Sequence, residues 1–265
     1  MNPRFRQLRG ARWFWGLLAG ITGLYLAFIL AMLAATAVYS APGDLWKALQ
    51  SREIQHSIWL SLCTCTCTAF LSLLIAIPSG YLLSRTAFFG KAWVQAALDI
   101  PIVLPPMVMG LALLILFQTG FGRLMEKAVA LTYTVNGVVL AQLVIGAAFA
   151  IRTMHGTFDH LSARPEDVAM TLGCSRARAV WLVTLPAARR GIFAAGTVAW
   201  ARSMGEFGPI LVFAGATRMK TEVLPTTVWL ELSVGNLEAA VAVSLLMVVF
   251  AMMILVAVRR VGERV

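Results

Sequence analysis

Residues 57–83 run SIWLSLCTCTCTAFLSLLIAIPSGYLL, a stretch without one charged side chain. A single helix needs about 20 mostly apolar residues to cross a bilayer core, so this stretch is long enough to span a membrane. Similar stretches recur along the 265 residues of the chain, of which 60% are hydrophobic and 13% charged. Soluble domains are roughly 45–50% apolar and about 25% charged. The composition therefore excludes a soluble enzyme, a disordered chain and a secreted disulfide scaffold, and predicts an integral membrane protein.

Six apolar stretches of similar length predict six membrane-spanning helices. They are too long for the strands of a membrane barrel, which alternate over roughly 10 residues. The predicted fold class is therefore all-α integral membrane, with a single transmembrane domain over residues 1–265. The first stretch follows a basic segment but is too long for a signal peptide, so we expect it to be retained. The predicted spans are residues 14–39, 57–83, 93–117, 135–151, 191–214 and 239–258.

The net charge of +10 is explained by the orientation of the spans. Cytoplasmic loops of membrane proteins carry an excess of Lys and Arg. With the N-terminus inside the cell, 15 of the 22 basic residues fall in inner segments, 6 in outer segments, and Arg202 within a span. We therefore predict that both termini are cytoplasmic and that the basic residues do not form a nucleic-acid interface.

The sequence contains no motif for catalysis or metal binding. Cys63, Cys65 and Cys67 alternate within one apolar run, so only two of them share a helical face, too few to hold a metal ion. The Walker A sequence of ATPases, G-x-x-x-x-G-K-[ST], does not occur. We predict no catalytic residues, no metal site, no cofactor and no ATP hydrolysis by this chain.

The largest predicted inner connection, residues 155–190, contains a clear helix signal. Within it, residues 162–173 are SARPEDVAMTLG. Glu166 and Asp167 complement the positive N-terminus of a helix, and Gly173 suits the left-handed residue that ends one. These features predict a short capped helix in the loop between the fourth and fifth spans.

A second short helix is predicted to begin after the N-cap Ser175 and to end at Pro186. The spacing across both helices resembles the EAA loop of bacterial ABC importer permeases, which docks on the cytoplasmic ATPase and transmits its closure to the membrane. Asp167, Val168 and Val183 depart mildly from the family pattern and keep its charge or apolar character. An ordinary helical hairpin at the membrane surface is the alternative. The resemblance implies a coupling loop that depends on Glu166, Asp167, Ala169, Gly173, Val183, Leu185 and Pro186.

Two charged residues are predicted inside the fifth span, within WARSMGEFGP at residues 200–209. A charge at the centre of a membrane helix costs about 2.5–3.5 kcal/mol on the lenient insertion scale, so it is usually paired or functional. A spacing of four residues places Arg202 and Glu206 on one helical face, where they can pair. Either the two residues form a structural ion pair within the bundle, or their face lines a permeation route.

The third span opens with PIVLPPMVMG at residues 101–110, which is incompatible with a regular helix because proline lacks an N–H group. Irregular backbone is tolerated in a bilayer where it is buried in protein or lines a watery cavity, and broken helices present dipoles to ions in several transporters. A kinked packing helix is the alternative. The candidate pathway residues from both segments are Pro105, Pro106, Gly110, Arg202, Ser203, Gly205, Glu206 and Gly208.

These two segments resemble the oxyanion branch of the family, the molybdate, tungstate and sulfate permeases, and the resemblance covers residues 57–258. It implies a MetI-like permease fold in the bacterial inner membrane and ATP-driven import of a tetrahedral oxyanion, with molybdate or tungstate ahead of sulfate. The implied partners are a second copy or another permease chain, cytoplasmic ATPase subunits, an external solute-binding protein and membrane lipid. The alternatives are the same architecture for thiosulfate or another small anion, and an ATPase-independent secondary transporter or channel.

Overall fold

The computed structural model describes residues 12–39 and 42–264. Within these ranges every regular element is helical, as the composition predicted. The basic residues Arg4, Arg6 and Arg9, which contribute to the predicted orientation, lie outside the described residues.

The regular elements are thirteen α-helices and two π-helical turns, Val180–Thr184 and Ile210–Ala214, within the described ranges. The α-helices in chain order are α1 (Arg12–Tyr39), α2 (Pro42–Gln50), α3 (Arg52–Arg85), α4 (Lys91–Val103), α5 (Pro106–Gln118), α6 (Gly120–Ala128), α7 (Val135–His160), α8 (Arg164–Thr171), α9 (Arg176–Ala179), α10 (Leu185–Ala187), α11 (Arg189–Met204), α12 (Leu224–Ser233) and α13 (Leu237–Arg264).

The helices long and apolar enough to cross a membrane number four in the described part of the chain, α1, α3, α7 and α13. Helices α4 and α5 are bent by 111° relative to each other, and they make a fifth span if the pair is counted as one broken span. The predicted count of six is therefore not confirmed. The irregularity predicted at residues 101–110 is present as this bend, since α4 ends at Val103 and α5 begins at Pro106.

The predicted fifth and fourth spans differ from the observed helices at their ends. Helix α11 stops at Met204 after 16 residues, so residues 191–214 are not one helix. Gly205, Gly208 and Pro209 follow, and these residue types disfavour a continuing helix. Helix α7 instead continues past the predicted end at residue 151 to His160, because a helix can leave the apolar layer and continue in a polar environment.

The core of the bundle is the packing of α3 on α7, closed by α11 against both. Small side chains recur on one buried face of α3 at spacings of three or four residues, which lets two helices approach closely in a membrane. At Gly80 an added Cβ would lie 2.8 Å from Met154 Cβ and 2.9 Å from the backbone nitrogen of His155. The buried polar members of the face are Ser57, Ser61, Thr64, Thr68 and Ser72.

The second loop helix ends one residue after the predicted stop at Pro186. Helix α9, the π-helical turn Val180–Thr184 and α10 follow one another without a gap, and the chain turns at Ala188 before α11 begins. Pro186 is the middle residue of α10, which ends at Ala187. The other predicted signals are confirmed, since Gly173 has a φ of +91° and Ser175 accepts a hydrogen bond from the backbone N–H of Arg178.

The Gly80 contact predicts opposite effects for two glycine substitutions in this core. Gly80→Ala should destabilise the protein by about 1–3 kcal/mol, the usual cost of overpacking, because its Cβ would meet the backbone of α7. The control Gly156→Ala has open space around its Cβ and should be neutral or stabilising, since alanine favours a helix over glycine. Thermal unfolding in detergent measures both. A Gly80→Ala protein as stable as Gly156→Ala would contradict the close packing.

Candidate functional site

The two broken segments predicted to line a pathway lie against each other. An added Cβ on Gly110 of α5 would lie 2.8 Å from Pro209 Cα, and one on Gly208 would lie 3.0 Å from the backbone nitrogen of Met107. No side chain fits at either glycine without a shift of backbone. Each break therefore covers part of the irregular backbone of the other, as a membrane interior requires.

The candidate pathway residues divide between the inside and the surface of the chain. The backbone contact and the carboxyl group are inside, whereas the prolines of the bend and the guanidinium group are exposed. The buried residues are Gly110, Ser203, Glu206 and Gly208, and the exposed ones are Pro105, Pro106, Arg202 and Gly205. Half of the predicted set therefore lies on the surface of this chain.

The predicted pairing of Arg202 with Glu206 is confirmed, with 3.0 Å between Arg202 Nη2 and Glu206 Oε1. The pair is asymmetric, because the Arg202 side chain is 44% exposed and the Glu206 side chain only 3%. Arg202 Cζ also lies 4.7 Å from the centroid of the Phe149 ring, a distance that gives a cation–π interaction. The guanidinium is held by two neighbours and keeps one side open.

Sequence reasoning missed Gln142, which joins three helices beside this pair. Its Nε2 donates to the carbonyl of Ser203 at 3.2 Å, and its Oε1 accepts from Thr68 Oγ1 at 3.1 Å. Gln142 is fully buried in α7, so these bonds connect α3, α7 and the last turn of α11. An amide side chain in the middle of an apolar span was an available signal for Gln142, whereas nothing in the sequence singled out Phe149.

The residues of the predicted coupling loop point in two directions. Glu166 is 5% exposed, and its Oε2 accepts from Thr184 Oγ1 at 2.9 Å while its Oε1 accepts from the Tyr81 hydroxyl. Asp167, the next residue, is exposed. Sequence reasoning missed Tyr81 and Thr184, whose part in this site depends on a contact between distant segments. Of the other predicted loop residues, Gly173 and Pro186 are exposed, and Ala169, Val183 and Leu185 are half-buried.

Large apolar side chains are exposed on the same loop. Trp181, in the π-helical turn Val180–Thr184, is 71% exposed and belongs to the same loop as Asp167. A cluster of exposed apolar side chains among polar ones is typical of a surface that contacts another protein. The four exposed apolar residues, which we call the loop patch, are Val168, Leu172, Trp181 and Leu182.

A second charged cluster lies between the π-helical turn at Ile210–Ala214 and α13. Arg218 Nη2 lies 2.7 Å from Glu231 Oε1, and this hydrogen bond raises the pKa of the Arg218 guanidinium. Burial raises the pKa of the Glu222 carboxyl, because removal from water disfavours its charged form. The Arg218–Glu231 pair fixes this segment to α12.

The asymmetry of the Arg202–Glu206 pair predicts the order of two losses of stability. Arg202→Met leaves a buried carboxylate without its cation, which typically costs about 3–5 kcal/mol. Glu206→Gln leaves a half-exposed cation and should cost less. Combining both substitutions should recover much of the loss, because no charge is then left unpaired. Thermal unfolding of the three variants tests this order, and a double variant no more stable than Arg202→Met alone would contradict it.

Comparison with known proteins agrees with this fold. Residues 72–265 match the family described as the binding-protein-dependent transport system inner membrane component. A probable molybdenum ABC transporter permease protein of Haloferax volcanii is 33% identical over 248 residues, which cover 93% of this chain and 90% of that protein. A molybdate/tungstate transport system permease protein of Pyrococcus abyssi is 36% identical over 168 residues, covering 63% of this chain and 64% of that protein.

A solved structure supports the same fold. The match is to a chain of a bacterial alginate ABC transporter in complex with a periplasmic protein bound to alginate pentasaccharide. It has a TM-score of 0.76 and 15% identity, and it covers 98% of this chain and 97% of that chain. With the family match and the shared sequence, this chain belongs to the binding-protein-dependent transport system inner membrane components, a family of multi-pass ABC importer permeases.

Proposed function

We propose that this chain is the permease subunit of an ATP-driven importer for molybdate or tungstate. The observation that carries the proposal is its likeness, over most of its length, to relatives named for molybdenum or for molybdate and tungstate. The chain supplies the membrane pathway, and a separate ATPase supplies the chemistry, as in the permeases to which it is related.

The open side of Arg202 supports an anionic substrate. A tetrahedral dianion crossing the membrane needs a cation that attracts it without trapping it. Glu206 offsets part of the Arg202 charge, and the Phe149 ring occupies another side of the guanidinium. Pro105, Pro106 and Gly205 are also exposed in the two broken segments, and in our proposal they line the pathway together with Arg202.

The coupling loop supports an ATPase partner. Asp167 offers a charge and the loop patch offers apolar surface to a cleft on the ATPase, and the π-helical turn Val180–Thr184 leads through α10 to α11. Closure of the ATPase subunits upon ATP binding would move this loop and open the pathway to the outside. ATP hydrolysis would then return the pathway to the inward-open state. Two copies of the chain would form one pathway, with both termini cytoplasmic and an external binding protein delivering the ion.

Deletion of the gene should lower the cellular content of molybdenum or tungsten. Cells with and without the chain are grown at nanomolar molybdate and tungstate with sulfate varied, and both metals are measured by mass spectrometry. We expect expression of the intact chain to restore the metal content, and we expect the deletion to lower that content at high sulfate as well. Unchanged levels of both metals would contradict the proposed substrate and would assign the permease to sulfate or another anion.

Charge reversal on the coupling loop should separate the permease from its ATPase. Asp167 is exposed, so Asp167→Arg should leave the protein in the membrane and abolish co-purification of the ATPase together with uptake. The matched control Asp167→Glu keeps the charge and should retain both. Full uptake and normal co-purification in the Asp167→Arg protein would overturn the assignment of this loop.

A further inference from the structure

The carboxyl group of Glu166 joins three parts of the molecule. Glu166 lies in the first turn of α8, Tyr81 lies near the end of the membrane helix α3, and Thr184 ends the π-helical turn before α10. Each carboxyl oxygen accepts one hydroxyl group, Oε1 from Tyr81 and Oε2 from Thr184. The carboxyl group is buried, and losing a hydrogen bond at a buried group costs more than losing one at an exposed group.

Tyr81 connects Glu166 to the ends of two membrane helices. The Tyr81 ring packs edge-on against Phe158 of α7, with 5.6 Å between centroids and 88° between planes. One turn further on, Arg85 Nη2 donates to the carbonyl of Leu161 at 2.8 Å. The end of α3 is therefore fastened to the end of α7, and a pull on Tyr81 acts on both helices.

Thr184 connects Glu166 to the pathway helix. It lies just before α10, and α11 begins five residues later at Arg189 and carries Arg202 in its last turn. Thr184 is buried like Glu166. π-helical turns are rare and occur frequently at functional sites, and this one lies where the loop enters a membrane helix.

We infer that Glu166 is a positioning residue that transmits movement of the coupling loop to the membrane helices through Tyr81 and Thr184. The inference rests on the proposed function and deepens it, because it separates the roles of two adjacent acids. Successive residues of a helix point about 100° apart, so Asp167 faces outward while Glu166 faces the bundle. Apolar packing is non-directional, whereas hydrogen bonds to a carboxylate fix both distance and direction.

The two hydroxyl donors determine which substitution of Glu166 removes the connection. A hydroxyl group both donates and accepts, so a glutamine amide could keep two hydrogen bonds by donating to one hydroxyl oxygen, whereas a methionine side chain offers no strong acceptor. Glu166→Met therefore removes both bonds and keeps an unbranched side chain of similar length. Tyr81→Phe and Thr184→Val each remove one donor and keep the shape of the residue. The control Thr171→Val removes an exposed hydroxyl of α8 that bonds only to the carbonyl of Val168.

The test is the number of molybdate ions transported per ATP in proteoliposomes that contain the chain, its cognate ATPase and its binding protein. For Glu166→Met and for the double variant Tyr81→Phe/Thr184→Val, each of which removes both bonds, we expect this ratio to fall at least about tenfold, the change expected on losing one buried hydrogen bond to a charged group. The amount of ATPase that co-purifies should stay at the wild-type level. Thr171→Val should keep the wild-type ratio, and Tyr81→Phe alone should lower it less than the double variant.

Three results would overturn the inference. If the Glu166 variant and the double variant transport as many molybdate ions per ATP as the wild type, the hydrogen bonds of Glu166 do not transmit movement. Loss of ATPase co-purification in proportion to transport would show that Glu166 supports the docking surface instead. A wild-type complex that hydrolyses ATP without moving molybdate or tungstate would overturn the proposed function itself. If the other variants do not assemble with the ATPase, the ratio of molybdate transported per ATP in Tyr81→Phe, the mildest change, tests the inference.

Discussion

A break in a membrane helix leaves backbone groups that lipid cannot satisfy, and the rest of this structure depends on how two such breaks cover each other. The bend between α4 and α5 packs against the segment that follows α11. This contact is possible only because Gly110 and Gly208 lack side chains at the points of closest approach. It holds the chain that directly follows the last turn of α11, the turn that carries Arg202. The pathway we propose follows from that contact.

Two buried polar connections extend from this contact through the bundle. Gln142 bonds to the carbonyl of Ser203 and to Thr68, which ties the end of α11 to α7 and α3. Glu166 ties the loop between α7 and α11 to the far end of α3 and to the turn that leads into α11. Both connections therefore converge on α11, one at each end. The helices of this bundle pack closely through small residues, and in our proposal such directional bonds are where a movement of the loop is transmitted.

The sequence predicted the membrane class, the irregular backbone at residues 101–110, the Arg202–Glu206 pair and the capped helices of the coupling loop, because each depends on residues close together in the chain. It placed residues 191–214 in one span although Gly205, Gly208 and Pro209 disfavour a continuing helix, because the apolar residues on both sides of the break follow the pattern of an unbroken span. Tyr81 and Thr184 could not be assigned to Glu166 without the fold. Their contact with it joins positions 85 and 18 residues apart along the chain. The inward direction of Glu166 is likewise set by tertiary packing.

In the function we propose, ATP bound to another polypeptide drives an oxyanion through this chain. The most direct test is molybdate entry into proteoliposomes containing the chain with and without the ATPase, in the presence of the loaded binding protein. We expect entry only when both the ATPase and ATP are present, and no entry through Asp167→Arg protein. Entry through the chain alone, driven by a molybdate or proton gradient and indifferent to the loop substitution, would contradict it and would indicate a secondary transporter or a channel.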